Sequence, residues 1–299
     1  MRPVLLRSSS RRRETLAAFG FIAPSVVGFV FFIAGPLIAG IGLSLADWDL
    51  FNPPRWAGTS NIQELFCDPL LRRTLVNTGV FAAGAVVLNV GLGLLIAVGL
   101  NWIGWRRFSA IVRTMIFLPF IMSTAVVAVL WTNLLNRDTG VVNWMLAGLG
   151  IGPVSWLTSS TWAMPSVILL DTWKNTGFYV VIFLAGLQSI PKEYYDAVRV
   201  DGGSGWATFR HITLPLLSPT ILFSVVICLI GAAQVFDSVY VLTKGGPGDA
   251  TRSVVMYLYQ QGFESFRMGY ASAVALVLLL VVMTVTGMQF LAARRWAPR

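Results

Sequence analysis

Long apolar runs separated by short polar connectors occupy almost the whole 299-residue chain. A helix crosses a bilayer with about 20 predominantly apolar residues. Six runs reach that length: 15–45, 74–100, 110–135, 163–187, 219–242 and 270–293. The pattern predicts an all-α membrane protein with six transmembrane helices, and polar tails at 1–14 and 294–299. The first run is longer than one crossing needs. It predicts a tilt, or a break at Pro24 or at Gly35-Pro36, where proline removes a helical donor. It also exceeds the apolar core of about 7–15 residues in a cleavable signal sequence, so it reads as a retained first span.

Composition agrees with that reading. Charged residues make up 12% of the chain, about half the share of a soluble domain, and the mean hydropathy is +0.73. Placing both termini in the cytoplasm puts 14 of the 22 Lys and Arg in inner segments and 7 in outer ones, with Lys174 inside a span. The inner segments then carry a net charge of about +10 and the outer ones about zero, the bias that orients membrane proteins. The overall charge of +9 is therefore a topology signal, and it predicts no nucleic-acid partner, because no soluble face gathers it.

Several chemistries lack their residues. One histidine and two cysteines, Cys67 in an outer loop and Cys228 in a span, form neither a typical zinc site nor a disulfide framework. His211 reads as a packing or capping residue. Asp201-Gly202-Gly203-Ser204-Gly205 lacks the spacing and the lysine of a phosphate loop and reads as a turn between two short helices. No nucleophile elbow or metalloprotease motif appears. The chain is expected to bind no metal or cofactor and to have no catalytic residues.

Polar groups within spans are costly and usually face a bundle interior or a pathway. In the fourth run Asp171, Lys174, Asn175 and Phe178 fall at i, i+3, i+4 and i+7, one face of a helix. Asp171 and Lys174 are close enough in register to pair. In the fifth run Gly231, Gln234, Asp237 and Ser238 are predicted to share a face in the same way. Two readings of the stripes stand: they line a cavity for a hydroxyl-rich ligand, or Asp171 and Lys174 meet water at the outer interface.

The polar segment 188–215 between these runs falls on the cytoplasmic side. Ser189 and Pro191 are helix-start signals, and Glu193 in the first turn suits the helix dipole. Tyr194, Ala197 and Val198 share one face, with Glu193, Asp196 and Arg199 off it. Gly202-Gly203 ends the helix, Ser204 starts a second one, and Leu214-Pro215 is expected to end that. A small exposed helix beside a glycine turn reads as a knob for a partner's groove.

This segment resembles the cytoplasmic signature of binding-protein-dependent ABC importer permeases: E-A-A, a glycine after three further residues, then nine residues and I-x-L-P. Here Asp196-Ala197-Val198 stands for E-A-A, followed at matching spacings by Gly202, Ile212 and Leu214-Pro215. Asp replaces Glu and Val replaces the second Ala. Further stretches resemble sugar-importer permeases: 43–69, Asn77-Thr78-Gly79-Val80-Phe81, and 113–131. The run 241–263 is similar to the L-T-x-G-G-P…T…Y-x-x-x-F pattern of the maltose and glycerol-phosphate permeases of the first-subunit type.

The resemblance implies a type I ABC importer permease architecture in a bacterial cytoplasmic (inner) membrane. It implies that 193–215 docks on an ATP-hydrolysing subunit and that closure of two such subunits, which use ATP and Mg, drives alternating access. It implies a second, different permease subunit and an extracytoplasmic binding protein, lipid-anchored or periplasmic. In the family the sugar-contacting span precedes the cytoplasmic loop, which matches Asp171, Lys174, Asn175 and Phe178. The match in the next span is looser, near Gly231, Ala232 and Val235, with Gln234 beside them. The expected function is import of a sugar or polyol. Glycerol phosphate or a glycerophosphodiester is the alternative that a Lys174–phosphate contact favours, and an ion-driven secondary transporter is the alternative of another class.

Overall fold

The computed structural model describes residues 7–103, 106–200 and 202–293. Asp201 and the ends of both predicted tails lie outside them, as does the side chain of Arg199. The chain is helical almost throughout, its one sheet being two paired dipeptides. Among the described residues five helices are long and apolar enough to span a bilayer, six if one sharply bent pair counts as a single span. Two compact units divide the chain: residues 1–66 with 261–276, and residues 67–260 with 277–299.

In the first unit α1 (Arg7–Phe29) continues into α2 (Gly35–Ser44) through a widened turn at Val30–Ala34. The predicted break at Pro24 or Gly35-Pro36 is therefore absent. Pro24 sits inside α1, and the wide turn, with the Gly35 N–H bonded to Val30 O, accommodates the donor that Pro36 lacks. The described residues of α1 are exposed in this chain, as expected of a helix facing lipid. After α2, the strands β1 (Ala46–Asp47) and β2 (Arg55–Trp56) pair antiparallel, and α3 (Ser60–Cys67) follows. Buried Asn61 donates to Ser44 O and Ala46 O at 3.0 and 2.9 Å, satisfying the end of α2. Asp49 accepts from the backbone and side chain of Asn52 and from the Phe51 N–H, which holds its carboxyl below the usual range.

The second unit begins at α4 (Pro69–Ala85), with Asp68 as N-cap and Pro69 at the first position. A widened turn at Val86–Val90 leads to α5 (Gly91–Ile103). Then come α6 (Arg106–Ile121), α7 (Thr124–Leu134), α8 (Val141–Gly148) and α9 (Ala163–Gln188). The later elements are α10 (Lys192–Val200), α11 (Gly205–Thr208), α12 (Leu214–Ala233), α13 (Asp237–Leu242), α14 (Val254–Tyr259) and α15 (Met268–Ala293), the last divided between the two units. Helix α9 is the most buried span and packs on α4, α5, α6 and α12. Between bilayer helices, small residues allow backbones to approach closely. Gly177 does this for α6: a Cβ there would fall on the Ile116 carbonyl and crowd the Phe117 Cα.

Three predicted elements change shape. The third run is two helices bent by 99° between Ile121 and Thr124, where Pro119 deprives the last turn of α6 of a donor. The fifth run stops at Ala233 in a tight turn, Gln234 N to Gly231 O and Val235 N to Ala232 O. Gly231, Gln234, Asp237 and Ser238 therefore do not share a continuous helix. Finally, Leu214-Pro215 does not end a helix. A widened turn at Phe209–Thr213 lets α11 run into α12, giving one helical rod from Gly205 to Ala233.

Candidate functional site

Both breaks open onto the same space. A cavity of about 370 Å³ lies among the end of α6, the start of α7, the middle of α9 and the α12–α13 break. Unpaired backbone is tolerated at membrane depth only where protein or a water-filled cavity satisfies it. Each break meets that requirement through a side chain from elsewhere. Lys174 Nζ donates to the Phe120 carbonyl at 3.4 Å, at the end of α6. Ser253 Oγ donates to the Val235 carbonyl at 2.7 Å, within the second break, and also caps α14.

Helix α9 supplies Asp171, Asn175 and Phe178 to the cavity, and the α12–α13 break supplies Gly231, Gln234, Asp237 and Ser238. The fifth-run residues thus converge, but by a chain reversal rather than by helical periodicity. Lys174 does not line the cavity. It is buried toward α6, with Nζ 5.5 Å from the centre of the Phe120 ring. Asp171 and Lys174 attract one another across the helix, but among the described contacts they share no hydrogen bond. The carboxylate instead accepts from Asn175 Nδ2 and Asn89 Nδ2, each at 2.8 Å. Register explains this: Asn175, one full turn on, projects alongside Asp171, whereas Lys174 is rotated toward α6 and finds a free carbonyl at that helix's negative end. The Phe120 and Phe178 rings are stacked, 4.9 Å between centroids and 17° between planes.

Sequence reasoning missed Asn89, Phe120, Thr124 and Phe236, which also line the cavity. Asn89 had a signal, being the one polar side chain between Gly79 and Leu100. It sits in the widened turn at Val86–Val90, where an extra residue per turn re-aims a side chain. Its carbonyl oxygen lies 3.3 Å from the Thr176 hydroxyl, whose proton is shared with the closer Thr172 carbonyl at 2.6 Å.

The second candidate region is α10 with the turn that follows. Glu193, Tyr194, Asp196 and Ala197 are exposed, while Tyr195 and Val198 turn inward. Tyr195 Oη lies 3.4 Å from Thr213 Oγ1, and Gly203 N donates to Val198 O at 2.9 Å. The outward face is therefore Glu193, Tyr194 and Ala197, with Val198 behind it. Gly202 has φ +71°, a left-handed conformation that glycine adopts at no steric cost. Ser204 Oγ accepts from Ala207 N at 3.2 Å as N-cap, and His211 Nδ1 lies 3.0 Å from Ala207 O. Ile212 is half-buried, and Leu214 and Pro215 are exposed on the rod. A larger cavity, about 730 Å³, lies beneath α10 and includes Asp196 and Tyr195. It belongs to this segment. The smaller cavity is the better ligand site, because aromatic rings, amides and carboxylates converge there at membrane depth.

Residues 89–298 match the family described as "Binding-protein-dependent transport system inner membrane component". YesP, a probable ABC transporter permease protein of Bacillus subtilis, is 39% identical over 97% of this chain and 94% of its own length. The lactose transport system permease protein LacF of Rhizobium radiobacter is 34% identical over 96% of this chain and 97% of its own. Among solved structures, a bacterial ABC transporter involved in import of the acidic polysaccharide alginate superposes with a TM-score of 0.84. Sequence identity there is 27%, and the match covers 96% of this chain and 98% of that one.

Proposed function

The chain belongs to the family of binding-protein-dependent transport system inner membrane components, and on that premise we propose that it is the permease subunit of an ATP-driven sugar importer. The observation that carries the sugar reading is the cavity at the two helix breaks. It offers stacked aromatic rings beside carboxylate and amide groups, a surface suited to an apolar sugar face and its hydroxyl rim. The lactose-system relative and the alginate importer support the same class of solute. Discontinuous helices around a midplane site are also how many transporters hold a solute while their halves rock. The alternative of a phosphorylated solute loses its main support, since Lys174 faces the Phe120 carbonyl and not the cavity. Family membership sets aside an ion-driven carrier.

In this reading both termini are cytoplasmic, as the charge bias indicates, and α10 is the element on which an ATPase takes hold. Glu193, Tyr194, Asp196, Ala197, Val198 and Gly202 form the docking knob, and Ile212, Leu214 and Pro215 join it to the membrane rod. The partners are a second, different permease, two ATPase subunits that bind ATP and Mg, and an extracytoplasmic binding protein. This chain contributes the pathway and no hydrolytic chemistry. The test is uptake of labelled sugar into proteoliposomes holding the whole complex and its binding protein. Uptake should require ATP inside the subunit-bearing face and persist when ion gradients are collapsed. Uptake that tracks an ion gradient and ignores ATP would overturn the proposal.

A further inference from the structure

We infer that the cavity at the two helix breaks selects neutral and amino-bearing sugars and rejects carboxylated or phosphorylated ones; this rests on reading that cavity as the sugar site. Among the described residues the charged side chains lining it are Asp171 and Asp237, and none of the lining residues is Lys, Arg or His. Lys174 is the cation that spacing alone places on the same stripe. It donates to the Phe120 carbonyl from outside the lining, where it still attracts Asp171 and Asp237 from behind but offers a ligand no cationic donor. The ends of four helices meet at the breaks: α6 and α12 finish there, and α7 and α13 begin. Their dipoles oppose one another pairwise, so the charged groups on the lining surface itself are the two carboxylates, with Lys174 behind them.

Hydrogen-bonding capacity points the same way. Asp171 accepts one amide N–H on each oxygen, from Asn175 on Oδ1 and Asn89 on Oδ2. An ionised carboxylate has about four acceptor positions, so it can still take two donors and can give none. The Asn89 carbonyl oxygen, weakly contacted by Thr176, is a further acceptor with room for a donor. A sugar hydroxyl or ammonium group supplies the donors this arrangement wants. A uronate or phosphate brings a further negative charge into a partly desolvated site that already holds two. At separations of about 5–7 Å that repulsion weakens binding by about tenfold or more.

The test is equilibrium binding to the importer complex in nanodiscs without its binding protein, so that the membrane site alone reports. The probes are two matched trios: glucose, glucosamine and glucuronate, and galactose, galactosamine and galacturonate, followed by titration calorimetry or saturation-transfer NMR. The expected order is amino sugar at least as tight as neutral sugar, with the uronate weaker by about tenfold or more. In the Asp171→Asn/Asp237→Asn double variant the uronate-to-neutral ratio should fall to about threefold or less, whatever the change in absolute affinity. Uronate binding as tight as neutral binding, or a ratio unchanged in the double variant, would overturn the inference while leaving the sugar reading in place. Binding of none of the six by a complex that still melts cooperatively would overturn the sugar reading, and this inference with it.

Discussion

The coupling segment and the cavity are built in opposite ways. Around α10 the ordering contacts are short in sequence: Gly203 to Val198, Ala207 to Ser204, His211 to Ala207, with Tyr195 to Thr213 the longest at 18 positions among the described hydrogen bonds. Around the cavity they reach across the chain: Lys174 to Phe120, Asn89 to Asp171 and Thr176 to Asn89 join residues 54, 82 and 87 positions apart. The coupling knob can therefore present exposed side chains to a partner without supporting its own fold. The cavity cannot change one member without disturbing backbone elsewhere. A substitution at the knob should separate function from stability, whereas one at the cavity should mix them.

The largest expected effect is at the knob. Ala197→Arg places a long cation on an exposed position. Uptake should fall by about thirtyfold or more, the scale of a lost interface anchor, while the complex still assembles and hydrolyses ATP. Uptake near the unaltered level would break the contrast, because a docking face could not absorb that change. Gly202→Asp also should uncouple the cycle, but its φ of +71° adds local strain of about 1–2 kcal/mol, so Ala197 is the cleaner position.

A smaller effect is expected at the first break. Lys174→Met removes the donor on the Phe120 carbonyl and keeps the length and packing of the stem. A hydrogen bond to a charged group contributes about 1.5–3 kcal/mol, so the KM for transport should rise by roughly tenfold or more, with Lys174→Arg recovering most of it. A pure stability defect would instead lower the amount of complex and leave KM unchanged. The smallest effect is at the second break. Ser253→Ala removes both the bond to Val235 O and the cap of α14, with an expected cost of about 1 kcal/mol. KM should rise by about fivefold, and the melting temperature of the complex should drop slightly. Equal losses at Ala197, Lys174 and Ser253 would erase the distinction between the two regions.

What could be read from the sequence divides along the same line. Apolar run length located the spans, because a bilayer imposes a length on any helix that crosses it. Cap, turn and amphipathic spacing located α10 and its glycine turn, because those signals act within a few residues. The cavity was legible only in part. Asp171, Asn175 and Phe178 share a face by simple periodicity, and they do meet there. Gln234 and Asp237 arrived at the cavity for a reason periodicity does not contain, the helix break that Ser253 secures from the following loop. Spacing placed Lys174 near Asp171, which attracts it electrostatically, but not its hydrogen bond, since no spacing rule reports a vacant carbonyl on another helix. The stretch 241–263 was noticed for its resemblance alone. Its physical role is visible in Asn77 holding the carbonyls of Asp249 and Arg252, and in Thr78 accepting from Val254 N.

The rod from Gly205 to Ala233 begins beside the glycine turn and ends at the cavity wall, where Gly231 and Ala232 sit. At about 1.5 Å per residue its 29 residues measure about 43 Å. A tilt of only about 5° about one end moves the other by roughly 4 Å on that length, more than the reach of a hydrogen bond. If an ATPase docks on α10 as proposed, mechanical gain of this kind would let its small closures bypass a chain of side-chain rearrangements. They would arrive at the proposed solute site as a displacement already large enough to empty it.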